Sequence, residues 1–403
     1  MKKSFTGYYR PTEDQFFELW KNCVFVFDAN VLLNLYRYPQ EARDDLIKVM
    51  TQISDRVWLP HQVALEYQEN RLSVIAEQLK RFDDVKKILA DVENNLKANL
   101  AHLQLKRRHS SIDPDGMLEE VSKVFVDFKE DLESLESEQP DVSAEDALRN
   151  QIDTLFEGKV GSPATLQADL DKLYERGKTR YEQRRPPGYT DAIKAKQGEK
   201  EQPPYFYNDL ILKREYGDLI VWFQIIEETK KRQIKHVIFV TDDDKEDWWW
   251  IVESKGKKTI GPRPELVEEI SSTAGVSSFY MYNSERFLEF AKKYLGTKIE
   301  QKSIDQIREI IRLKRALRRS RLTAEGQKTV DEMVAWFFDN YEDPANGVPH
   351  DSSEGGYQYV FGGPYDAREE LSEHFSGAST DEIEEATEII EREGWEWVKK
   401  GQY

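Results

Sequence analysis

Two short apolar runs in this chain end abruptly in carboxylates. Val24-Phe25-Val26-Phe27 is a continuous stretch of β-branched and aromatic residues, the pattern of a strand buried on both faces. It stops at Asp28, with Asn30 two positions on. His236-Val237-Ile238-Phe239-Val240-Thr241 repeats the arrangement and stops at Asp242, Asp243 and Asp244. Central strands of α/β sheets open ligand sites at their carboxyl ends. Asp28 alone reads equally well as the N-cap of the next helix and as a functional group that needs a cation or a hydrogen-bonding partner. A second acid-tipped strand shifts the balance towards a divalent cation held between the two, over a solvated acidic turn.

Elsewhere the period lengthens. Residues 41–53 read as a helix, and Val57-Trp58-Leu59 as a short strand stopped by Pro60. Leu72, Ile75, Leu79 and Phe82 recur by threes and fours, and Leu89, Leu96, Leu100 and Leu103 extend the stripe. Residues 106–116, with Pro114 and Gly116, predict a turn. The stripe then resumes at Met117, Val121, Val124, Phe128, Leu132 and Leu135, which predicts an antiparallel coiled-coil hairpin. Lys106, Arg107 and Arg108 at its tip are either solvated or a contact for a phosphate backbone. Helices are expected over 143–157 and 164–182, then a rigid loop at Arg184-Arg185-Pro186-Pro187-Gly188-Tyr189. The cations around that loop, with Tyr181 and Tyr189 among them, read either as a linker or as a surface for phosphates and bases. Helical periodicity spans 207–231 with a break at Gly217-Asp218, which sets Asp218 near the start of an amphipathic helix over 219–229. A helix to residue 273, an edge strand over 278–282 and a helix to 295 follow. Strands alternating with helices predict an α/β sheet with crossovers.

Composition refines this picture. The chain has 403 residues, enough for two or three domains, and a net charge of −18. Residues 322–403 contribute −15 of that and residues 1–321 only −3, so the acidity of the whole does not exclude a nucleic-acid substrate. Residues 303–321 predict a basic helix, a linker or a nucleic-acid contact, and the acidic tail holds enough aromatics, from Trp336 to Trp397, to predict a small α+β domain. The single cysteine, Cys23, excludes an internal disulfide and reads as a small buried hydrophobe, and the six histidines show no ligand spacing. No signal-peptide pattern or membrane-length apolar run is present, so a cytoplasmic protein without a membrane partner is expected.

Four acidic positions therefore stand out: Asp28, Glu66 in the helix after Pro60, Asp218, and Asp242 or Asp243. Oxygen donors select Mg²⁺ or Mn²⁺, ions that orient a water, lower its pKa and stabilise charge on a phosphodiester. The bland readings are a solvated helical Glu66 and an ordinary N-terminal helix charge at Asp218. A phosphatase would place a second acid two residues after its aspartyl nucleophile, where this chain has Asn30.

At these residues the sequence resembles the PIN-like nucleases, in particular a bacterial subgroup of longer chains. The motifs are FDANVLLNLY (27–36), HQVALEY (61–67), PPGY with Asp191 and Lys194 (186–194), YGDLIVW (216–222), VTDDDKEDWW (240–249) and GPRPEL (261–266). The resemblance covers residues 1 to about 297. It implies a parallel sheet flanked by helices that cuts single-stranded RNA, or less often DNA, with Asp28, Glu66 and Asp218 as metal ligands. Asp243 or Asp242 would complete the set, with Asn30 and Thr241 in polar support. Glu66 and Asp218 lie far apart in sequence because of the helical insertion, so specificity does not carry over from compact PIN domains.

The expected organisation is a PIN-like nuclease domain over 1–299, with a helical insertion at about 70–182, a basic linker helix over 300–321 and an acidic domain over 322–403. The expected activity is that of a Mg²⁺- or Mn²⁺-dependent endoribonuclease in a defence or toxin-like setting, with Lys245, Arg263, Arg184, Arg185 and Lys194 holding substrate phosphates. A homo-oligomer or protein partner would use the helical hairpin or the acidic domain. The alternative is a degenerate PIN-like scaffold that binds nucleic acid without cutting it.

Overall fold

The structure is a computed structural model. It describes residues 1, 5–105, 112–137, 139, 142–195, 203–253 and 257–320, and beyond these single residues and short runs between 329 and 390; of residues 193–195, 253, 257, 312–320, 350–352 and 356–358 it describes the backbone only. The tip cations Lys106, Arg107 and Arg108, the side chain of Lys194, and Trp395 and Trp397 lie outside the described residues.

In chain order the strands of the first 300 residues are β1 (Val24–Phe27), β2 (Val57–Trp58), β3 (Tyr205–Tyr207), β4 (Leu210–Leu212), β5 (His236–Val240), β6 (Trp249–Glu253), β7 (Lys257–Pro262) and β8 (Ser278–Tyr282). Four of them form one sheet in the order β2-β1-β5-β8, every neighbouring pair parallel. Phe27 pairs with Val240 and Val240 with Tyr282, so the carboxyl ends of the three longer strands are level. The ladder runs one residue further, with the Asp28 amide donating to the Val240 carbonyl (2.9 Å) and the Thr241 amide to that of Tyr282 (2.9 Å).

Burial explains why these runs are strands. Alternate residues point to opposite faces of a sheet. Phe25, Phe27 and Tyr282 meet Trp20 and Phe287 on one face, while Phe239 and Phe279 meet Trp248 and Trp222 on the other. Covering both faces removes from water side chains each worth about 1.5–3 kcal/mol. The covering helices include Glu13–Asn22, opened by a Thr12–Gln15 capping box, together with Gly217–Lys231, Pro264–Ala274 and Ser284–Tyr294. Cys23 is buried, as its reading as a small hydrophobe requires.

The helical hairpin is formed by His61–His102 and Asp115–Ser137. Lys86 pairs with Glu136 (2.5 Å), and Glu93 accepts from Ser122 (2.9 Å), so one helix runs up as the other runs down. The helices Ala147–Phe156, Gln167–Glu182 and Gln301–Ser320 match the remaining long periodic segments. One expectation fails. Residues 205–212 form an antiparallel ribbon, β3–β4, rather than the lead-in to a helix. Asn208 (φ 47°) and Asp209 (φ 62°) make the two-residue left-handed turn that suits tight hairpins, and this turn chemistry outweighs the apolar period.

The chain divides into two compact units, one of residues 1–195, 202–250 and 261–304, the other of residues 196–201, 251–260 and 305–403. The second has its own small core, in which Val330, Met333, Phe337, Leu371, Ile383, Ala386 and Ile390 are buried. It also carries an antiparallel pair, His350–Ser352 with Gly356–Gln358. Among the described residues no helix is long and apolar enough to cross a membrane.

Candidate metal centre

Asp28 follows β1 and serves both of the purposes open to it in the sequence. Its Oδ1 accepts from the Ala29 amide (2.7 Å), capping the helix Ala29–Asn34. Its Oδ2 accepts from Thr241 Oγ1 (2.7 Å) and Asn30 Nδ2 (2.5 Å). Asn30 also donates to Thr241 Oγ1 (3.1 Å) and accepts from the Asp242 amide (2.8 Å), and Thr241 Oγ1 accepts from the Asp243 amide (3.1 Å). These two side chains tie the end of β1 to the end of β5 and fix Asp28 and Asp243 relative to each other.

Glu66, Asp218 and Asp243 lie near enough to act on Asp28 electrostatically. Burial pushes the Asp28 carboxyl well above its ordinary range, the Glu66 charge raises it further, the Thr241 hydrogen bond opposes, and Asp218 and Asp243 add to the rise. Asp243 is raised by burial and by Asp218, against the opposing pull of Lys245. Glu66 reaches the group from the second turn of His61–His102, just after β2. Asp218 stands in the first turn of Gly217–Lys231, whose N-terminus lies at this edge of the sheet.

Acidic residues to which the sequence reading gave no role complete the surroundings. Asp191 is buried, and its Oδ1 lies 2.9 Å from Lys245 Nζ. Asp247 is fully buried; its Oδ2 accepts from the Gly188 amide (2.9 Å), the Thr190 amide (3.1 Å) and Thr190 Oγ1 (2.7 Å), while its Oδ1 has no partner. Burial first, then the Asp218 charge, push Asp247 from 3.8 up to about 7. Gly188 cannot carry a side chain here: its φ is +90°, and a Cβ would sit 2.5 Å from the Tyr181 hydroxyl and 3.3 Å from Asp218 Cβ. Trp248, almost wholly buried, donates to Asp218 Oδ2 (3.2 Å). The signals for these residues were present in the chain, since Asp191 and Asp247 fall inside the PPGY and VTDDDKEDWW motifs.

The three adjacent acids after β5 diverge. Asp242 accepts from Asn34 Nδ2 (2.8 Å), Tyr38 hydroxyl (3.0 Å), the Ser284 amide (2.8 Å) and Ser284 Oγ (2.8 Å). Asp243 turns instead to Lys245, and Asp244 is exposed. The side chain of Lys245 faces inwards, its Nζ reaching Asp191, Asp218 (3.2 Å) and Asp243 (2.9 Å). Of the other expected phosphate contacts, Arg184 is exposed, pairs with Glu246 (3.2 Å) and lies over the Tyr189 ring. Arg185 pairs with Glu269 (2.8 Å), and Arg263 with Glu265 (2.9 Å) while also donating to the Tyr189 hydroxyl (3.2 Å).

Among the described residues no three His, Cys, Asp or Glu side chains already stand at metal-ligating geometry. The donor set nevertheless fits a hard divalent cation. It is all oxygen, its members are half-buried, and they oppose one another's ionisation, a conflict that added positive charge relieves. Without metal, the folded chain retains protons on Asp28, Asp243 and Asp247 that the unfolded carboxylates release near their ordinary values. The Asp247 window alone runs from 3.8 to about 7. The folded state binds more protons across that window, so stability falls as pH rises through it. The melting temperature of EDTA-treated protein is therefore expected to drop between about pH 4 and about pH 7. A flat or rising profile by calorimetry would contradict this arrangement of charges.

A family profile described as PIN like domain matches residues 24–266, a span that runs from the first residue of β1 through the whole acid cluster. No curated protein and no solved structure matches the chain. The parallel sheet, the acid-tipped strands and this match over more than half of the sequence agree: the chain belongs to the PIN-like domain family.

Proposed function

We propose that this protein is a metal-dependent endonuclease acting on single-stranded RNA. PIN-like domains are generally metal-dependent nucleases. The observation that carries the reading is the half-buried Asp28 carboxyl at the end of β1, with Glu66, Asp218 and Asp243 each opposing its ionisation or that of its neighbour.

In this reading Asp28, Glu66, Asp218 and Asp243 hold Mg²⁺ or Mn²⁺. When bound, the ion supplies Lewis-acid polarisation of a phosphodiester and a lowered pKa for water. Asn30 and Thr241 orient Asp28, and Trp248 orients Asp218. Asp242, with four donors already on its carboxylate, joins β5 to the helix Ser284–Tyr294. No histidine or serine nucleophile is needed. The exposed Arg184 and the half-buried Tyr189 flank Gly188, the loop residue that packs against Asp218, and a cation beside an aromatic ring suits a flexible strand that offers both phosphate and base.

Thr241→Val keeps the shape of the side chain but removes its hydrogen bonds to Asp28 and from the Asp243 amide. Loss of a group that orients a metal ligand costs about ten- to a hundredfold, so the variant should fold normally and cleave that much more slowly. Wild-type rates in a single-turnover assay would refute the orienting role. The substrate class is tested by offering the full chain labelled single-stranded RNA, single-stranded DNA and duplex DNA of one sequence with Mn²⁺. Internal cuts in the RNA ahead of both DNAs support the reading, and preferential cutting of either DNA overturns the assignment to RNA.

A further inference from the structure

Lys245 departs from the role expected of a cation in a nuclease motif. Its ammonium has three N–H donors and three carboxylate oxygens around it: Asp191 Oδ1 at 2.9 Å, Asp218 Oδ2 at 3.2 Å and Asp243 Oδ2 at 2.9 Å. The backbone reinforces the placement, because the Lys245 amide donates to Asp243 Oδ1 (2.9 Å). Asp191 and Asp218 are themselves held from outside the cluster. The Asp191 amide donates to the Gly188 carbonyl (3.0 Å), and Trp248 donates to Asp218 Oδ2.

These distances suit an ammonium. Mg²⁺ requires oxygens at about 2.0–2.1 Å, so the three carboxylates would have to close in by nearly 1 Å each to hold it at this point. Asp191 and Asp247 also give this side of the site more acid than four ligands require, and Asp247 Oδ1 is buried without a partner. A surplus of carboxylate with a tethered cation at its centre is the arrangement expected where a side chain stands in for an ion. We propose that Lys245 is the second cation of this centre: its ammonium permanently fills the position between Asp191, Asp218 and Asp243, so that the protein takes up one divalent ion, on the Asp28–Glu66 side, where a two-ion nuclease would take two.

This inference rests on the metal-dependent reading above and deepens it. Lys245 becomes a built-in countercharge rather than a surface residue waiting for substrate, and the acids it neutralises are unavailable to a second ion while it remains.

The test is the stoichiometry of Mn²⁺ binding to the full chain, measured by titration calorimetry, for wild type and Lys245→Met. One ion per chain in the wild type and two in the variant is the expected result. Two ions in the wild type, or one in both proteins, would overturn the inference while leaving the nuclease reading intact. Absence of any Mn²⁺ binding to the wild type would overturn the metal-dependent reading itself. Because removing Lys245 leaves several buried carboxylates unbalanced, the variant's unfolding midpoint is measured alongside. If the metal-free variant is unfolded, Mn²⁺ should restore its fold, since the ion replaces the missing charge. Failure of Mn²⁺ to restore it would show that Lys245 is not exchangeable with an ion.

Discussion

Asp28→Asn is expected to abolish metal-dependent cleavage while leaving the fold intact. The side chain keeps its size, and its oxygen can still accept from the Ala29 amide and cap the helix Ala29–Asn34. What disappears is the negative charge at the point where Glu66, Asp218 and Asp243 converge electrostatically. If that charge holds a cation worth several kcal/mol of transition-state stabilisation, its loss slows cleavage by about a thousandfold or more. The melting temperature without metal should rise, because a half-buried group whose ionisation is opposed has been replaced by a neutral one. Cleavage within tenfold of wild type, in protein shown to be folded by circular dichroism, would remove Asp28 from the active centre.

The second large effect is on stability. Glu269 is only 8% exposed and Arg180 only 3%. Both Arg180 terminal nitrogens donate to the carboxylate, at 2.6 and 2.9 Å, and Arg185 (2.8 Å) and Trp222 Nε1 (2.9 Å) complete the set. Burial would raise Glu269, yet the hydrogen bonds from Arg180 and Trp222 hold it below its ordinary value. Glu269→Ala leaves a guanidinium buried without a countercharge, which costs about 3–5 kcal/mol. In a unit of this size that corresponds to a fall in melting temperature of about 10 °C. Arg180 also donates to the Pro186 carbonyl, so the damage extends to the loop whose Gly188 and Thr190 amides hold Asp247. A shift of less than about 3 °C would mean that the cluster is dispensable.

The chain states some of this plainly and conceals the rest for physical reasons. β1 and β5 are legible because a strand buried on both faces needs consecutive apolar residues, and the acids that end them stand where the burial stops. The helical hairpin is legible from the stripe of Leu72, Ile75, Leu79 and Phe82. Asp242 and Asp243 are indistinguishable as letters; the backbone separates them, turning one to Tyr38 and Ser284 and the other to Lys245. The turn at Asn208-Asp209 is a local signal masked by a longer apolar period. Asp191, Asp247 and the Arg180–Glu269 pair are different in kind. Their partners lie tens of residues away, and a buried carboxylate and a solvated one are written with the same residue, so only the assembled fold distinguishes them.

The central claim, that these carboxylates work through a divalent ion on the phosphodiesters of single-stranded RNA, is met most directly by one measurement. The full chain is incubated with end-labelled single-stranded RNA in Mn²⁺ and, in parallel, in EDTA, and the products are sized on a denaturing gel. A metal-dependent PIN-like centre requires internal cuts with Mn²⁺ and none with EDTA. Equal cutting in the two reactions, or intact RNA in both, would contradict it.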